Sequence, residues 1–256
     1  TESIRDLKQQ LKTAKHKIFG AKTVRTKRKY KQQVNELRIA IADELKSQGF
    51  INESETSQLA SWDMFDQNSS SPFFDPDWMF GVKEGFDIVI ANPPYGIINK
   101  KQNKGESISV PKEVEKYYKE ASEYKHAKGG GLNIYRLFII RSINLLVKDG
   151  IFSEIFQLGF AGDVSAAKTR RFIFENCKID FFESFPERDN PKKRVFENAK
   201  MSVCILQLSK SKDANTPFSL RINKDKFVDL AVVPSTITIY KITEVSQVNK
   251  YQLACL

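Results

Sequence analysis

The stretch that decides the fold is Phe86-Asp87-Ile88-Val89-Ile90-Ala91-Asn92-Pro93-Pro94-Tyr95-Gly96. Five of its first six residues are apolar, with Asp87 the exception, and the run is centred on the β-branched Ile88, Val89 and Ile90, which predicts a strand buried on both faces of a sheet. The strand must end at Asn92, because the two prolines that follow fix φ and donate no backbone hydrogen bond. Helical and strand patterns alternate after this point, so the sequence predicts an α/β sheet with Asn92 at the carboxyl end of a strand.

The alternation continues over more than a hundred residues. The apolar periodicity predicts a helix over 134–147, a strand over 151–158, a helix over 164–176, and strands over 179–185 and 201–208. A short helix over 111–125 is expected within the long polar connection at 96–131. The tail after residue 213 has short β-type runs and predicts the start of a separate β-rich module.

The Asn92-Pro93-Pro94-Tyr95 tip carries groups suited to holding a planar amine. The Asn92 amide oxygen and the Pro93 carbonyl are two acceptors on a stiff backbone. Accepting both amine hydrogens localises the lone pair on the nitrogen, and Tyr95 can stack on the ring that bears it. The alternative is a buried turn whose prolines only end a strand. The strand before the tip and the long loop after it favour the functional interpretation.

The positive charge of the chain is concentrated at its N-terminal end. The 256 residues carry a net charge of +10, and residues 1–50 contain 13 basic and 5 acidic side chains. Apolar residues at three- and four-residue steps predict two antiparallel helices there, ending near Gly49. Their basic faces either lie along a phosphate backbone or are solvated surfaces that pack on a neighbouring domain. We therefore expect a basic helical arm at 1–50, a catalytic region at 51–212 and a β-rich segment at 213–256.

Composition excludes several classes of protein. No apolar run approaches the ~20 residues of a membrane-spanning helix, so no membrane partner is expected. Three cysteines without Cys-x-x-Cys spacing predict free thiols in a reducing cytoplasm. Isolated histidines and acids without nuclease spacing give no indication of a metal site.

Several segments together resemble S-adenosylmethionine-dependent N6-adenine DNA methyltransferases of the type IIG restriction–modification kind. The tip at 86–96 looks like their catalytic motif, in its Asn-Pro-Pro-Tyr form. The other similar segments are Trp78–Val82, Asn133–Phe138, Leu145–Ile151, Arg170–Asn176 and Arg194–Ala199. The resemblance covers about residues 60–210 and implies the catalytic half of a Rossmann-like methyltransferase sheet.

The resemblance also implies roles for particular residues. Asn92 and the Pro93 carbonyl would accept from adenine N6, and Tyr95 and Phe196 would hold the base between their rings. The adenine would have to leave the duplex to reach them, so the implied partner is double-stranded DNA. Pro94, Lys100 and Lys101 are expected to contact the substrate as well.

One departure from the family concerns the cofactor. The acidic, glycine-rich turn that binds S-adenosylmethionine follows a strand upstream of the catalytic motif, and residues 1–85 contain no such unit. We therefore expect the chain to be a fragment that is inactive alone and binds the cofactor poorly or not at all. The missing strands would leave the catalytic strand at a sheet edge, covered by the missing cofactor-binding half, another chain or the basic helices.

Two other functions remain open on the sequence alone. Protein-glutamine and RNA-guanine methyltransferases also use an Asn-Pro-Pro-aromatic tip, although they tend to be compact. A non-catalytic DNA-binding fragment would also account for the missing cofactor turn.

Overall fold

The computed structural model describes residues 2–63, 65–66, 74–98, 107–211, 218–223 and 238–242. The chain divides into two compact units, Thr1–Glu84 and Gly85–Leu256. The helices are α1 (Glu2–Gly20), α2 (Val24–Ser47), α3 (Glu53–Ser61), α4 (Pro76–Phe80), α5 (Lys112–Glu120), α6 (Ile134–Leu145) and α7 (Ala167–Asn176). The strands are β1 (Phe86–Ala91), β2 (Ile97–Ile98), β3 (Ser107–Ile108), β4 (Leu132–Asn133), β5 (Leu146–Gln157), β6 (Lys178–Phe185), β7 (Val203–Ser209), β8 (Phe218–Ile222) and β9 (Thr238–Ile242). Within these described ranges no helix is long and apolar enough to cross a membrane.

The first unit is built on the two predicted basic helices, which the structure confirms. The short link between them ends at Thr23, whose side chain caps the N-terminus of α2. Their apolar stripes meet in one core, formed by Leu11, Ala14, Ile18, Val34, Leu37 and Ile41. Gly49 follows α2 with a φ of 73°, the left-handed conformation that commonly ends a helix.

The second unit is a six-stranded mixed sheet, so the predicted α/β class is confirmed. Its strand order is β1-β5-β7-β6-β8-β9. β1 runs parallel to β5 and β6 runs parallel to β8, whereas β7 and β9 are antiparallel to their neighbours. Residues of α6 and α7 share one core with the inner face of the sheet, including Ile139, Phe152, Phe156, Ile173 and Phe182. This core holds the carboxyl ends of β1 and β5 side by side.

Several features differ from those expected. β5 begins at Leu146, five residues before the predicted strand start and directly after α6. The chain divides at residues 84 and 85 and not at residue 50. Residues 53–61 and 76–80 are helical, in a stretch for which the sequence pattern predicted no element. β8 pairs with β6 and β9 pairs with β8, so the described parts of the tail extend the main sheet and do not open a separate one.

A small second sheet follows the Asn-Pro-Pro-Tyr tip. β2 begins at Ile97 and pairs with β3 on one side and β4 on the other. Ile98, Leu132 and Ile140 lie in a core that joins this sheet to α6. The tip is therefore held at both ends, by β1 before it and by β2 after it.

The expected burial of β1 on both faces is wrong for one face. Val89 packs against the core of the second unit, as predicted. Ile88 and Ile90 point to the opposite face and are 62% and 79% exposed. Within the described residues β1 pairs with β5 alone, so it is an edge strand whose outer face carries two exposed apolar side chains.

Candidate active site

The tip lies at the carboxyl end of β1, where reactive groups gather in sheets of this kind. β1 and β5 are parallel, and Ala91, the last residue of β1, lies opposite Glu154 of β5. Pro93 is buried, which anchors the turn, while Asn92 and Pro94 are exposed. The sequence therefore places a polar amide at the solvent side of a fixed proline corner.

The Tyr95 hydroxyl fixes the Asn92 amide. It lies 3.2 Å from Asn92 Oδ1 and 3.4 Å from the carbonyl oxygen of Ile155 on β5, and it can donate to either. Burial raises the pKa of Tyr95 above its ordinary value, so the hydroxyl stays protonated and remains a donor at neutral pH. An amide oxygen has two lone pairs, so Asn92 can accept from Tyr95 and from one further donor at once.

Phe196 reaches the tip from the loop between β6 and β7. Its ring centroid lies 6.1 Å from that of Tyr95, and the two ring planes are inclined by 59°. A planar base stacked between two parallel rings needs about 7 Å between them, since each stacking contact takes about 3.5 Å. The two rings thus touch each other in this structure, and they must separate before a base can lie between them.

The sequence that contains this site matches a known protein family. The sequence model of the Eco57I restriction-modification methylase family matches residues 5–190. The chain belongs to this family. It is 31% identical over 134 residues to the Type II restriction enzyme and methyltransferase RM.Eco57I of Escherichia coli, an alignment that covers 52% of this chain and 12% of that protein. The chain thus spans only a small part of the length of that relative.

Similar solved structures include two enzymes of related description. The type IIG restriction endonuclease BpuSI is 12% identical, with a TM-score of 0.46 and coverage of 65% of this chain and 20% of that one. A Listeria monocytogenes protein assigned to the class I S-adenosylmethionine-dependent methyltransferases is 18% identical, with a TM-score of 0.36 and coverage of 60% and 36%.

Sequence reasoning missed Arg194, which organises the loop that carries Phe196. Its Nε donates to the carbonyl oxygens of Phe196 and Glu197, at 3.0 and 3.1 Å. Its terminal nitrogens donate to the carbonyl oxygens of Arg188, at 3.1 Å, and of Glu197. One side chain therefore satisfies three carbonyls of a loop without regular structure. An arginine two residues before the predicted stacking Phe196 was the signal that could have indicated this role.

A pair of amides behind the tip was missed as well. Asn133 on β4 pairs with Ile97, and its Nδ2 donates to Oε1 of Gln157 at 3.3 Å. Gln157 is the last residue of β5, so both amides lie at the same edge of the sheet as Asn92. Asn133 Oδ1 is enclosed and accepts no hydrogen bond within the described residues. Backbone pairing with β2 and this amide contact together position the segment that follows Tyr95.

Two predicted substrate-binding residues, Lys100 and Lys101, lie outside the described residues. Of the others, the structure brings Asn92, Tyr95 and Phe196 together at one edge. Pro94 is exposed at the same turn.

The described residues do not form the cofactor site that the resemblance implies. Upstream of β1 the described ranges contain the helices α1–α4 and no strand, so a strand that could lead into a glycine-rich turn is not found among them. On the far side of β1 no described strand pairs with it. The tip offers two hydrogen-bond acceptors, the Asn92 amide oxygen and the Pro93 carbonyl, and no step involving the cofactor is assigned to the described residues.

Proposed function

We propose that the chain is the catalytic portion of a restriction–modification DNA methyltransferase, which transfers a methyl group from S-adenosylmethionine to N6 of a flipped-out adenine. The observation that carries the proposal is the exposed Asn92, held by the Tyr95 hydroxyl beside two prolines at the carboxyl end of β1. Membership of the methylase family supports the reaction class. We propose both that the target base is adenine and that it is flipped out of the duplex.

The residues of the tip would act on the amine and not on the methyl donor. Asn92 Oδ1 and the Pro93 carbonyl would accept the two N6 hydrogens, which draws the nitrogen toward tetrahedral geometry and exposes its lone pair. The cofactor, when bound, would supply an electrophilic methyl group and leave as a neutral thioether, and the methylated nitrogen would then release one N6 proton to solvent. Because that proton leaves after the transfer, a preorganised pair of acceptors can replace a strong base. Because the prolines fix the backbone, the acceptors need little reorganisation during the reaction.

The adenine would enter between Tyr95 and Phe196. Extruding a base from a duplex costs a few kcal/mol, and stacking on an aromatic side chain returns roughly 1–3 kcal/mol per base. The tilt and distance of the two rings require Phe196 to move when the base enters. The arginine-held loop would carry this movement, while Lys100 and Lys101 would contact the DNA.

Two partners belong to the proposal. One is double-stranded DNA, whose sequence the tail after residue 213 would help to read. The other is the cofactor-binding half of the domain, on the same or another chain, which would pair with the free edge of β1 and cover Ile88 and Ile90. Both apolar side chains are exposed without it.

The test is transfer of tritium from labelled S-adenosylmethionine to adenine in DNA by the full-length protein. The Asn92→Ala variant should lose activity by about 100-fold or more, the size typical of removing one preorganised hydrogen-bonding group, and should keep its DNA affinity. Asn144→Ala is the matched control, because Asn144 is an exposed asparagine at the end of α6, near the start of β5.

The results of this assay distinguish the proposed function from the alternative functions. Full activity of the Asn92→Ala variant would refute the roles given to the tip. Transfer to RNA or to protein glutamine in place of DNA would replace the substrate. The absence of any transfer by the full-length protein would favour a non-catalytic DNA-binding function. The 256-residue chain alone is expected to be inactive in the same assay.

A further inference from the structure

A basic cavity lies within the first unit, apart from the tip. It has a volume of about 110 Å³ and lies between α1 and the segment 77–83. Five cationic side chains line it, namely Arg5, Lys8, Lys12, Lys15 and Lys83. The lining residues include one carboxylate, Asp77.

The two walls of the cavity are packed against each other. Lys15 is 5% exposed, and its Nζ donates to the carbonyl oxygen of Met79 at 2.8 Å. The stem of Lys12 lies over Gly81, where a Cβ atom would come within 3.3 Å of Lys12 Cγ. Gly81 has a φ of 72°, a conformation that glycine adopts without strain. The backbone of segment 79–81 thus fixes two of the cations in place.

The charges in and below the cavity favour an anion. Arg38 of α2 is 3% exposed and lies close enough to Lys15 to disfavour its charge. Burial and this neighbour lower the pKa of Lys15 to about 8. Within the described residues Arg5, Lys8, Lys12 and Lys83 form no ion pair with an acidic side chain. An anion in the cavity would relieve this repulsion.

The spacing of the cations fits an extended anion better than a single ion. Arg5, Lys8 and Lys12 lie on one face of α1 and span about 10 Å along its axis, at 1.5 Å per residue. Each DNA strand presents one phosphate per ~3.4 Å of duplex axis, and because the strand winds around that axis successive phosphates lie roughly twice as far apart, so a row of this length meets about two of them. We propose that this cavity, together with the face of α1 that carries Arg5, Lys8 and Lys12, binds two successive backbone phosphates of double-stranded DNA. The identity of the polyanion rests on the proposed function.

The test measures binding of a fluorescently labelled duplex to the 256-residue chain between 50 and 200 mM salt. The double variant Lys8→Gln, Lys12→Gln should lose about two phosphate contacts. Each contact contributes about 0.9 to the slope of log K against log salt, so the slope should become shallower by about 1.8. At 0.1 M salt the same loss weakens affinity on the order of 50-fold.

A matched control removes the same charge elsewhere. Lys112 and Lys116 are exposed on α5, four residues apart as Lys8 and Lys12 are, and do not line the cavity. The Lys112→Gln, Lys116→Gln variant should keep most of the slope and affinity. Equal losses in both variants would show that only net charge matters and would overturn the proposal. An unchanged cavity variant would overturn it as well.

Two further measurements test whether the cavity itself binds the DNA backbone. Asp77→Asn removes the carboxylate from the cavity, so it should tighten DNA binding by severalfold, and weaker or equal binding would contradict the proposal. Inorganic phosphate at 10 mM and constant ionic strength should not displace the duplex, because one phosphate meets only one or two of the cations. Displacement would assign the cavity to free phosphate.

DNA binding by the cavity can be tested separately from the Asn-Pro-Pro-Tyr tip. Asn92 lies in the other unit, so the Asn92→Ala chain should bind the duplex like the parent chain. If the cavity variants lose DNA binding while the full-length protein methylates nothing, the proposed function fails and this site stands. If methylation depends on Asn92 but the cavity variants bind normally, this site fails and the proposed function stands.

Discussion

A buried carboxyl in the second unit makes stability depend on pH. Glu154 on β5 is 1% exposed and faces α6, where the Ser142 hydroxyl donates to its Oε1 at 2.5 Å. Its Oε2 is buried and has no hydrogen-bond partner in the described residues. Burial raises the pKa of Glu154 from 4.5 to about 7, and the Ser142 hydrogen bond opposes part of that rise.

The raised pKa of Glu154 decides in which direction the stability changes with pH. Between pH 4.5 and 7 the folded state keeps a proton on Glu154 that the unfolded state has released, so the free energy of unfolding falls as the pH rises. At about 1.4 kcal/mol per pKa unit, the total loss is about 3 kcal/mol. About 2.5 kcal/mol of it falls between pH 5 and pH 8. Glu154→Gln cannot ionise and should therefore lose this part of the pH dependence.

Urea denaturation of the chain at pH 5 and pH 8, followed by circular dichroism, measures the difference. The drop in unfolding free energy from pH 5 to pH 8 should be smaller in Glu154→Gln than in the parent by about 2.5 kcal/mol. Glu113→Gln, an exposed glutamate of α5, is the control and should match the parent. An equal drop in all three proteins would mean that Glu154 titrates normally in the folded state, and the reasoning would fail.

Three other substitutions test the tip and the sheet edge. Tyr95→Phe keeps the ring but removes the donor to Asn92, so single-turnover methylation by the full-length protein should slow about tenfold with unchanged DNA affinity, and an unchanged rate would contradict this. Arg194→Ala removes the hydrogen bonds that hold the Phe196 loop, so less of the target base should be extruded from the duplex. The fluorescence of 2-aminopurine at the target position measures this extrusion, which Arg188→Ala should leave unchanged. Ile88→Thr should reduce self-association of the chain in light scattering, and unchanged scattering would show that the exposed face of β1 is not involved.

The sequence predicted the central elements because their patterns are local and strong. The apolar run at 86–91 predicts a strand and two prolines end a strand whatever surrounds them, so the position of Asn92 at the carboxyl end of β1 could be predicted from the local sequence. α6, β6 and β7 are long apolar segments and were placed within a few residues. The pairing of Tyr95 with Phe196 joins residues a hundred positions apart, and only the family resemblance indicated it.

Other elements were missed for identifiable reasons. α3 begins with a capping box, in which Asn52 and Glu55 each bond the other's backbone N–H, but the helix is short and its segment is polar, so no apolar periodicity predicted it. β8 could not be assigned to the main sheet, since its partner β6 is about forty residues upstream and pairing is not encoded in a short strand. Arg194 was missed because a sequence does not show which loop carbonyls a side chain contacts, and its position two residues before Phe196 was the one available signal.

The exposed apolar face of β1, which was expected to be buried, indicates what the rest of the domain contributes. Ile88 and Ile90 lie on the face opposite Val89, and a strand that evolved to be solvated on that face would alternate apolar with polar residues. An edge strand with an exposed apolar face also promotes aggregation, which natural sheets avoid with charges or prolines. β1 has one charged residue, Asp87, near its start, where the pairing with β5 is irregular, and the two exposed residues after it on the face opposite Val89 are both isoleucine. The pattern is thus that of an interior strand, and it supports the proposal that a cofactor-binding half covers this edge in the working enzyme.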